Sequence, residues 1–221
     1  VNTSVRLPVR GVSLASQDDS LNGNPGSTLT YTIVVQNTGS DPDDILLGLE
    51  ICESCNSWVV SLSETVVEDL EDGKSKEVSL FVQIPASARD TDSAEINVTA
   101  QSHDDSNAVD TVSTVSTVNT IYQTSVTFTT VPIMYPEDVN HFNLSVTNQG
   151  HSQQAYKFTE GNNLPEGWGF EDTLPFETSV LGPYGDSELV TLPFEVPSDA
   201  SPGYYNFSIY VKQISSGLRV A

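Results

Sequence analysis

Basic residues are scarce in this chain. Eight Lys and Arg stand against 30 Asp and Glu in 221 residues, for a formal net charge of −22 at pH 7. A surface of that sign repels polyphosphates and anionic lipid headgroups, which excludes nucleic acid and acidic membranes as natural partners. Long apolar runs are missing too. No stretch approaches the ~18 to 20 residues of a membrane-spanning helix, so no part of this segment is expected to insert in a bilayer. Position 1 is Val, not Met, and no signal-like segment follows; the chain is expected to be processed or cut from something longer. The short motifs of catalysis are absent as well: no Gly-x-Ser-x-Gly elbow, no HExxH, no phosphate-binding glycine loop. Paired carboxylates for glycoside hydrolysis need a cleft between them, and none can be placed. The chain is therefore read as a non-enzyme.

Cysteine is nearly absent. Cys52 and Cys55 sit in "ICESCNSW". Zinc wants four ligands, and His103, His141 and His151 are scattered. A thioredoxin-type pair precedes a helix, whereas "NSWVVSL" is strand-like. The spacing favours a local disulfide that clamps a turn, which implies an oxidising compartment. Four sequons fit such a compartment, at Asn2, Asn97, Asn143 and Asn206, although a chain rich in Ser and Thr also makes sequons by chance.

What is present is a repeat. In "TLTYTIVVQNTG" Tyr31, Ile33 and Val35 alternate with polar or smaller residues. Phe142, Leu144 and Val146 do the same in "FNLSVTNQG", and 148 − 37 gives a spacing of 111 between Asn37 and Asn148. Period two marks a strand with one buried face. The glycine that follows each Asn is expected to supply the backbone freedom to leave the sheet. Further columns agree: Ile45 and Leu47 with Tyr156 and Phe158, Trp58 with Trp168, Leu70 with Leu181, Val78 to Ile84 with Val190 to Val196. Ala94, Ile96 and Val98 match Tyr205, Phe207 and Ile209, so all three of the latter are expected to point inward.

No segment has helical periodicity, and short alternating strands separated by turns indicate an all-β sandwich. The reading is two tandem immunoglobulin-like antiparallel β-sandwiches. Residues 1–10 form an N-terminal strand or linker, 11–119 the first sandwich, and 120–221 the second, whose final strand looks short. No Gly/Pro/Ser linker lies at the junction, so little hinging is expected.

The pattern of Pro-Gly before a strand, "VVQNTG", a Trp after a turn and "LEDG…VSLFVQIPASA", with "LPEGWGF" and "VPSDASPGYYNFSIYV" in the second copy, resembles the NEW3 and CARDB-type adhesion modules. Those immunoglobulin-like repeats recur in prokaryotic surface proteins and beside secreted hydrolases. Copy 1 departs from the pattern where "CESCNSW" replaces the Pro-Glu-Gly-Trp turn. The resemblance implies a fold and an extracellular or cell-surface location, and transfers no catalytic residue.

Three groups of candidate residues remain. Asp104, Asp105, Asn107 and Asp110 cluster in a turn between two strands. Calcium takes six to eight oxygens, often from loop carboxylates and carbonyls, while acidic turns without metal are common. Apart from such calcium no cofactor is expected. Trp58 and Trp168 fit either a sandwich core or sugar-stacking platforms, and a large aromatic at a fixed place in a sandwich favours the core. Val1, Val5, Leu7 and Val9 alternate with polar residues. They belong to an ordinary first strand or preceding module, or act as a donor strand that completes the second sandwich of another copy. The functional reading is a structural or adhesive module of an extracellular or cell-envelope glycoprotein. Its partners are proteins or copies of itself met through sheet edges, up to a filament or surface array. The alternative is an accessory domain pair of a secreted hydrolase, binding carbohydrate.

Overall fold

The computed structural model describes residues 7–55, 57–90, 92–129, 133–138, 140–170 and 174–215. The chain divides into two compact units, Val1–Thr120 and Ile121–Ala221. Both are all-β, and no helix occurs among the described residues.

Unit 1 contains β1 (Val12–Ser16), β2 (Ser20–Gly23), β3 (Thr28–Asn37), β4 (Asp43–Ile51), β5 (Val59–Leu62), β6 (Val66–Leu70), β7 (Ser75–Gln83), β8 (Ser93–Ser102) and β9 (Val109–Val118). One sheet runs β1-β3-β7-β5 and the other β2-β9-β8-β4-β6. Alternation places Tyr31, Ile33 and Val35 of β3 and Val78, Leu80 and Val82 of β7 on the inner face of the first sheet. Ile45 and Leu47 of β4 and Ala94, Ile96, Val98 and Ala100 of β8 line the second. This inner layer is mostly aliphatic, with Tyr31 and Trp58 as its aromatic members. The Tyr31 hydroxyl donates to the Val115 carbonyl at 2.8 Å and accepts the Leu21 amide at 3.1 Å. A buried phenol needs such a partner.

One pairing departs from the antiparallel expectation. β2 runs parallel to β9, because the first strand is split. β1 pairs with β3 in one sheet, the chain then crosses at Gln17–Asp19, and β2 joins the edge of the other sheet. An edge strand arriving by crossover instead of by hairpin is free to run parallel.

Unit 2 contains β10 (Thr124–Phe128), β11 (Asn140–Asn148), β12 (Tyr156–Glu160), β13 (Phe176–Glu177), β14 (Asp186–Phe194) and β15 (Ile209–Gln213). Its sheets run β10-β11-β14 and β13-β12-β15. The pairing repeats unit 1: β10, β11 and β14 stand for β1, β3 and β7, while β12, β13 and β15 stand for β4, β6 and β8. A lone bridge between Gly169 and Glu195 stands for the β5–β7 ladder, where Val59 faces Gln83. The core here is aromatic. Phe194 stacks on Phe207 at 5.0 Å and meets Phe142 edge-on at 5.1 Å, with Phe170 4.8 Å away.

The two Asn-x-Gly endings share one bonding pattern. Asn37 and Asn148 are each 0% exposed. The Asn37 amide nitrogen donates to the carbonyls of Asp41 (2.9 Å) and Leu70 (2.7 Å), and its oxygen accepts the Gly39 amide (2.8 Å). Asn148 donates to Ser152 (2.7 Å) and Leu181 (3.3 Å) and accepts from Gly150 (3.0 Å). The side chain replaces the ladder where the strand turns away, so the carbonyls and the glycine amide at that place keep partners.

The glycine's role differs from the expectation. Neither Gly39 nor Gly150 is among the residues at positive φ. What the position requires is space. A Cβ on Gly39 would lie 2.6 Å from the Val9 carbonyl oxygen, and one on Gly150 would collide with the carbonyl oxygen of Ile121. In each unit the segment entering β1 or β10 passes against this glycine. The bonds are Thr38 to Gly11 and Ser40 to Val9 (both 2.9 Å) in unit 1, and Gln149 to Gln123 (2.8 Å) and His151 to Ile121 (3.1 Å) in unit 2, each amide donating to the carbonyl.

Candidate functional site

At the end of unit 1 where β3, β6 and β8 finish and β4 begins, Pro42, Asp43, Asp44, Asp69, His103 and Asp104 line an open notch of about 150 Å³. Its acids are placed by the backbone. β6 is bulged against β4: Asp43 pairs with Leu70 and Ile45 with Val67, so Glu68 and Asp69 face the single Asp44. Such a bulge re-aims side chains at a sheet end. Asp69 takes φ 48°, and its amide donates to Asp44 Oδ1 at 2.8 Å. Asp43 is 4% exposed. Its Oδ2 accepts from Ser102 Oγ at 2.5 Å, while its Oδ1 is buried with no hydrogen-bond partner. Ser102 Oγ in turn accepts the amides of Asp104 and Asp105, each at 3.2 Å.

One cation sits at this acidic end. Arg10, its side chain 16% exposed, donates from Nη1 to the Pro42 carbonyl at 2.6 Å and from Nη2 to Asp104 Oδ2. His103 Nδ1 lies 3.2 Å from Asp104 Oδ1.

Only Asp104 of the four proposed calcium ligands lines this notch. Asp105 Oδ1 accepts both the backbone and side-chain nitrogens of Asn107, each at 3.0 Å. Those bonds hold the Asp105 carboxyl below its ordinary pKa of 3.8. Asp110 is committed to the amides of Leu14 (2.8 Å) and Thr111 (2.9 Å). Among the described residues no three Asp, Glu, His or Cys side chains converge as a metal group, and Asp105 and Asp110 of the set Asp104, Asp105, Asn107 and Asp110 are engaged by neighbouring nitrogens. The reason is local: in a tight turn these side chains are used up by neighbouring backbone amides. Asp43-Asp44 is one acidic pair among several in the sequence, and nothing local joins it to Asp69 or Asp104, because these residues come from different strands and the turn after β8. The Asp43-Asp44 dipeptide was the one visible signal.

The remaining candidates are placed as follows. Cys52 and Cys55 are joined at a Cα separation of 5.3 Å, at a turn closed by the Cys55 amide donating to the Cys52 carbonyl at 3.0 Å. Trp58 is buried, whereas Trp168 is half-buried and lies against Tyr205, ring centroids 4.5 Å apart. Tyr205 does not point inward as its register predicted. β15 begins only at Ile209, because Pro202 and Gly203 precede this stretch and the Tyr205 hydroxyl ties it back to the Ser201 carbonyl at 2.7 Å. Phe207 does reach the core. Asn97 and Asn143 are half-buried on strands whose neighbours Ile96, Val98, Phe142 and Leu144 face inward; Asn206 is exposed in the irregular stretch before β15. Leu7 and Val9 are exposed. Asn2, Val1 and Val5 lie outside the described residues.

The architecture defines a pair of immunoglobulin-like β-sandwiches. No protein-family model matches the chain, and no curated protein does. Solved structures that resemble it include a PapD-like domain of human CEP192, at 16% identity over 55% of this chain and 92% of that one, TM-score 0.35. The chaperone YadV is similar at 9% identity over 93% and 96% of the two chains, TM-score 0.34. The periplasmic chaperone SfaE is similar at 15% identity over 94% and 96%, TM-score 0.34.

Proposed function

We propose that the chain is a non-enzymatic, two-module piece of an extracellular or cell-envelope protein, acting as spacer and adhesive surface of the NEW3 or CARDB-like kind. The observation that carries this reading is the duplicated frame. The same buried Asn, the same close-packed glycine and the same strand pairings recur in both units, while the side chains at the exposed sheet ends differ. Such a frame holds the surface loops of each unit in place, and each surface is free to meet its own partner. The Cys52–Cys55 pair and the acidic surface suit an oxidising, ion-rich medium. The test is labelling of intact source cells with a membrane-impermeant lysine reagent. Labelled protein supports the reading; labelling only after lysis overturns it.

A second reading, carbohydrate binding beside a secreted hydrolase, is favoured by one observation. Tyr204 is 104% exposed beside Tyr205, whose ring lies tilted against Trp168. Exposed rings of this kind offer flat apolar faces to sugars. Calorimetry with soluble plant and microbial glycans tests it: saturable binding lost in Tyr204→Ala supports this reading, and no binding by the parent protein rejects it.

A further inference from the structure

We infer that Asn206 is an N-glycan attachment site open in the folded protein, and that the sequons at Asn97 and Asn143 are closed by the fold. The inference rests on the extracellular reading above for where the glycan donor is met. The step is a substitution. Asn206 Nδ2 attacks C1 of an oligosaccharide carried on a polyprenyl pyrophosphate. The C1–N bond forms, the C1–O bond breaks with its pair going to the pyrophosphate, and one Nδ2 proton passes to a base of the transferase. The enzyme must grip the acceptor backbone and reach the hydroxyl two residues on. A sequon inside a ladder is therefore reached only when its strand opens.

Two of the sequons are locked in this way. Asn97 lies on β8, paired with Glu50 on one side and Ser113 on the other. The hydroxyl its sequon needs, Thr99 Oγ1, is 3.2 Å from Thr111 Oγ1. Asn143 lies on β11 opposite Thr191, whose Oγ1 donates to Asn143 Oδ1 at 2.8 Å, and the Thr129 amide bonds the Asn143 carbonyl at 3.0 Å. Asn206 differs in each respect. Asn206 and Ser208 are both exposed, and among the described residues no hydrogen bond holds the Asn206 side chain. Residues 201–207 make no backbone-to-backbone bond among the described residues; the stretch is tied at Ser208, to Gly161 (2.8 Å) and Asn162 (3.3 Å). Its neighbours fix its direction. Phe207 is stacked on Phe194 at 5.0 Å, and the Tyr205 hydroxyl bonds the Ser201 carbonyl. The register of unit 1 gives the same position to Glu95, which is paired with Val115 within β8. The stretch that left the ladder in unit 2 is thus the one that presents a complete sequon.

The experiment presents the folded full chain, with Asn2→Gln so that only the described sequons remain, to an oligosaccharyltransferase and a polyprenyl pyrophosphate-linked oligosaccharide. The enzyme is one that modifies synthetic peptides of all three sequons, and folding is checked by circular dichroism. Intact mass should show one glycan, and peptide mapping should place it on Asn206. Transfer to Asn97 and Asn143 should be slower by roughly a thousandfold or more, the rarity of chains with a central strand open. Asn206→Gln should leave the bare polypeptide mass over the same time. Transfer to Asn97 or Asn143 at a rate near that of Asn206 overturns the inference, as does an Asn206 that is modified in the peptide but not in the folded chain. In protein from source cells, peptide mapping should find the glycan on Asn206. Surface-labelled protein with Asn206 bare defeats this inference alone, whereas protein labelled only after lysis defeats the extracellular reading.

Discussion

The two units solve one folding problem with different interiors. Among the described residues unit 1 has nine strands around an aliphatic core, and unit 2 has six around a knot of Phe142, Phe170, Phe194 and Phe207. What they share is not the packing but the backbone bonding at the strand ends, where Asn37 and Asn148 occupy the same place. Apolar residues of adequate volume are interchangeable if the space is filled. A side chain that must meet two carbonyls and an amide at fixed positions is not. The difference in strand content also sets where aromatic rings are needed: with shorter ladders, large rings bury more area per residue.

The largest effect that should separate the units is a core truncation. Phe194→Ala is expected to cost unit 2 about 3–5 kcal/mol and to leave unit 1 unchanged. Each unit has one tryptophan, Trp58 or Trp168, so single-tryptophan variants followed by fluorescence in urea report each unit separately. A shift of both midpoints would break the picture of two separate cores. Next come the paired substitutions Asn37→Ala and Asn148→Ala. Each strands buried carbonyls and a glycine amide, so each should destabilise its own unit by roughly 3 kcal/mol. Unequal losses would show that the shared bonding pattern carries unequal weight. Reduction of Cys52–Cys55 should lower unit 1 alone, by about 2 kcal/mol or less, because the loop it closes is short; the Trp58 signal with and without reductant measures it.

The smallest effect is at Asp105. Its folded pKa is lowered from 3.8, first by the Asn107 amide and then by the Asn107 side chain. The ionised carboxylate therefore favours the folded state above pH 3.8, and that contribution is lost as pH falls through the lowered value. Asn107→Ala removes the side-chain bond and should move the Asp105 carboxyl part of the way back toward 3.8 in an NMR titration.

By itself the sequence determined the class of fold and its duplication. Period-two alternation at Tyr31–Val35 and Phe142–Val146 leaves one face to bury, and a 111-residue spacing repeats the whole set. Local chemistry also placed Cys52 beside Cys55 in a turn. The tertiary structure alone decided the rest. Gly39 and Gly150 are needed because another segment's carbonyl passes there, a contact that no local pattern encodes. β2 runs parallel to β9 because the first strand crosses between sheets. Tyr205 left its predicted register and lies on Trp168, since alternation holds only while the backbone stays extended and paired. The acids nearest in sequence, Asp105 and Asp110, are spent on neighbouring amides. The notch is assembled instead from Asp43, Asp44, Asp69 and Asp104, on segments up to 61 residues apart (104 − 43). Charge is written in the sequence, but which charges share a site follows from strand order and from one bulge in β6.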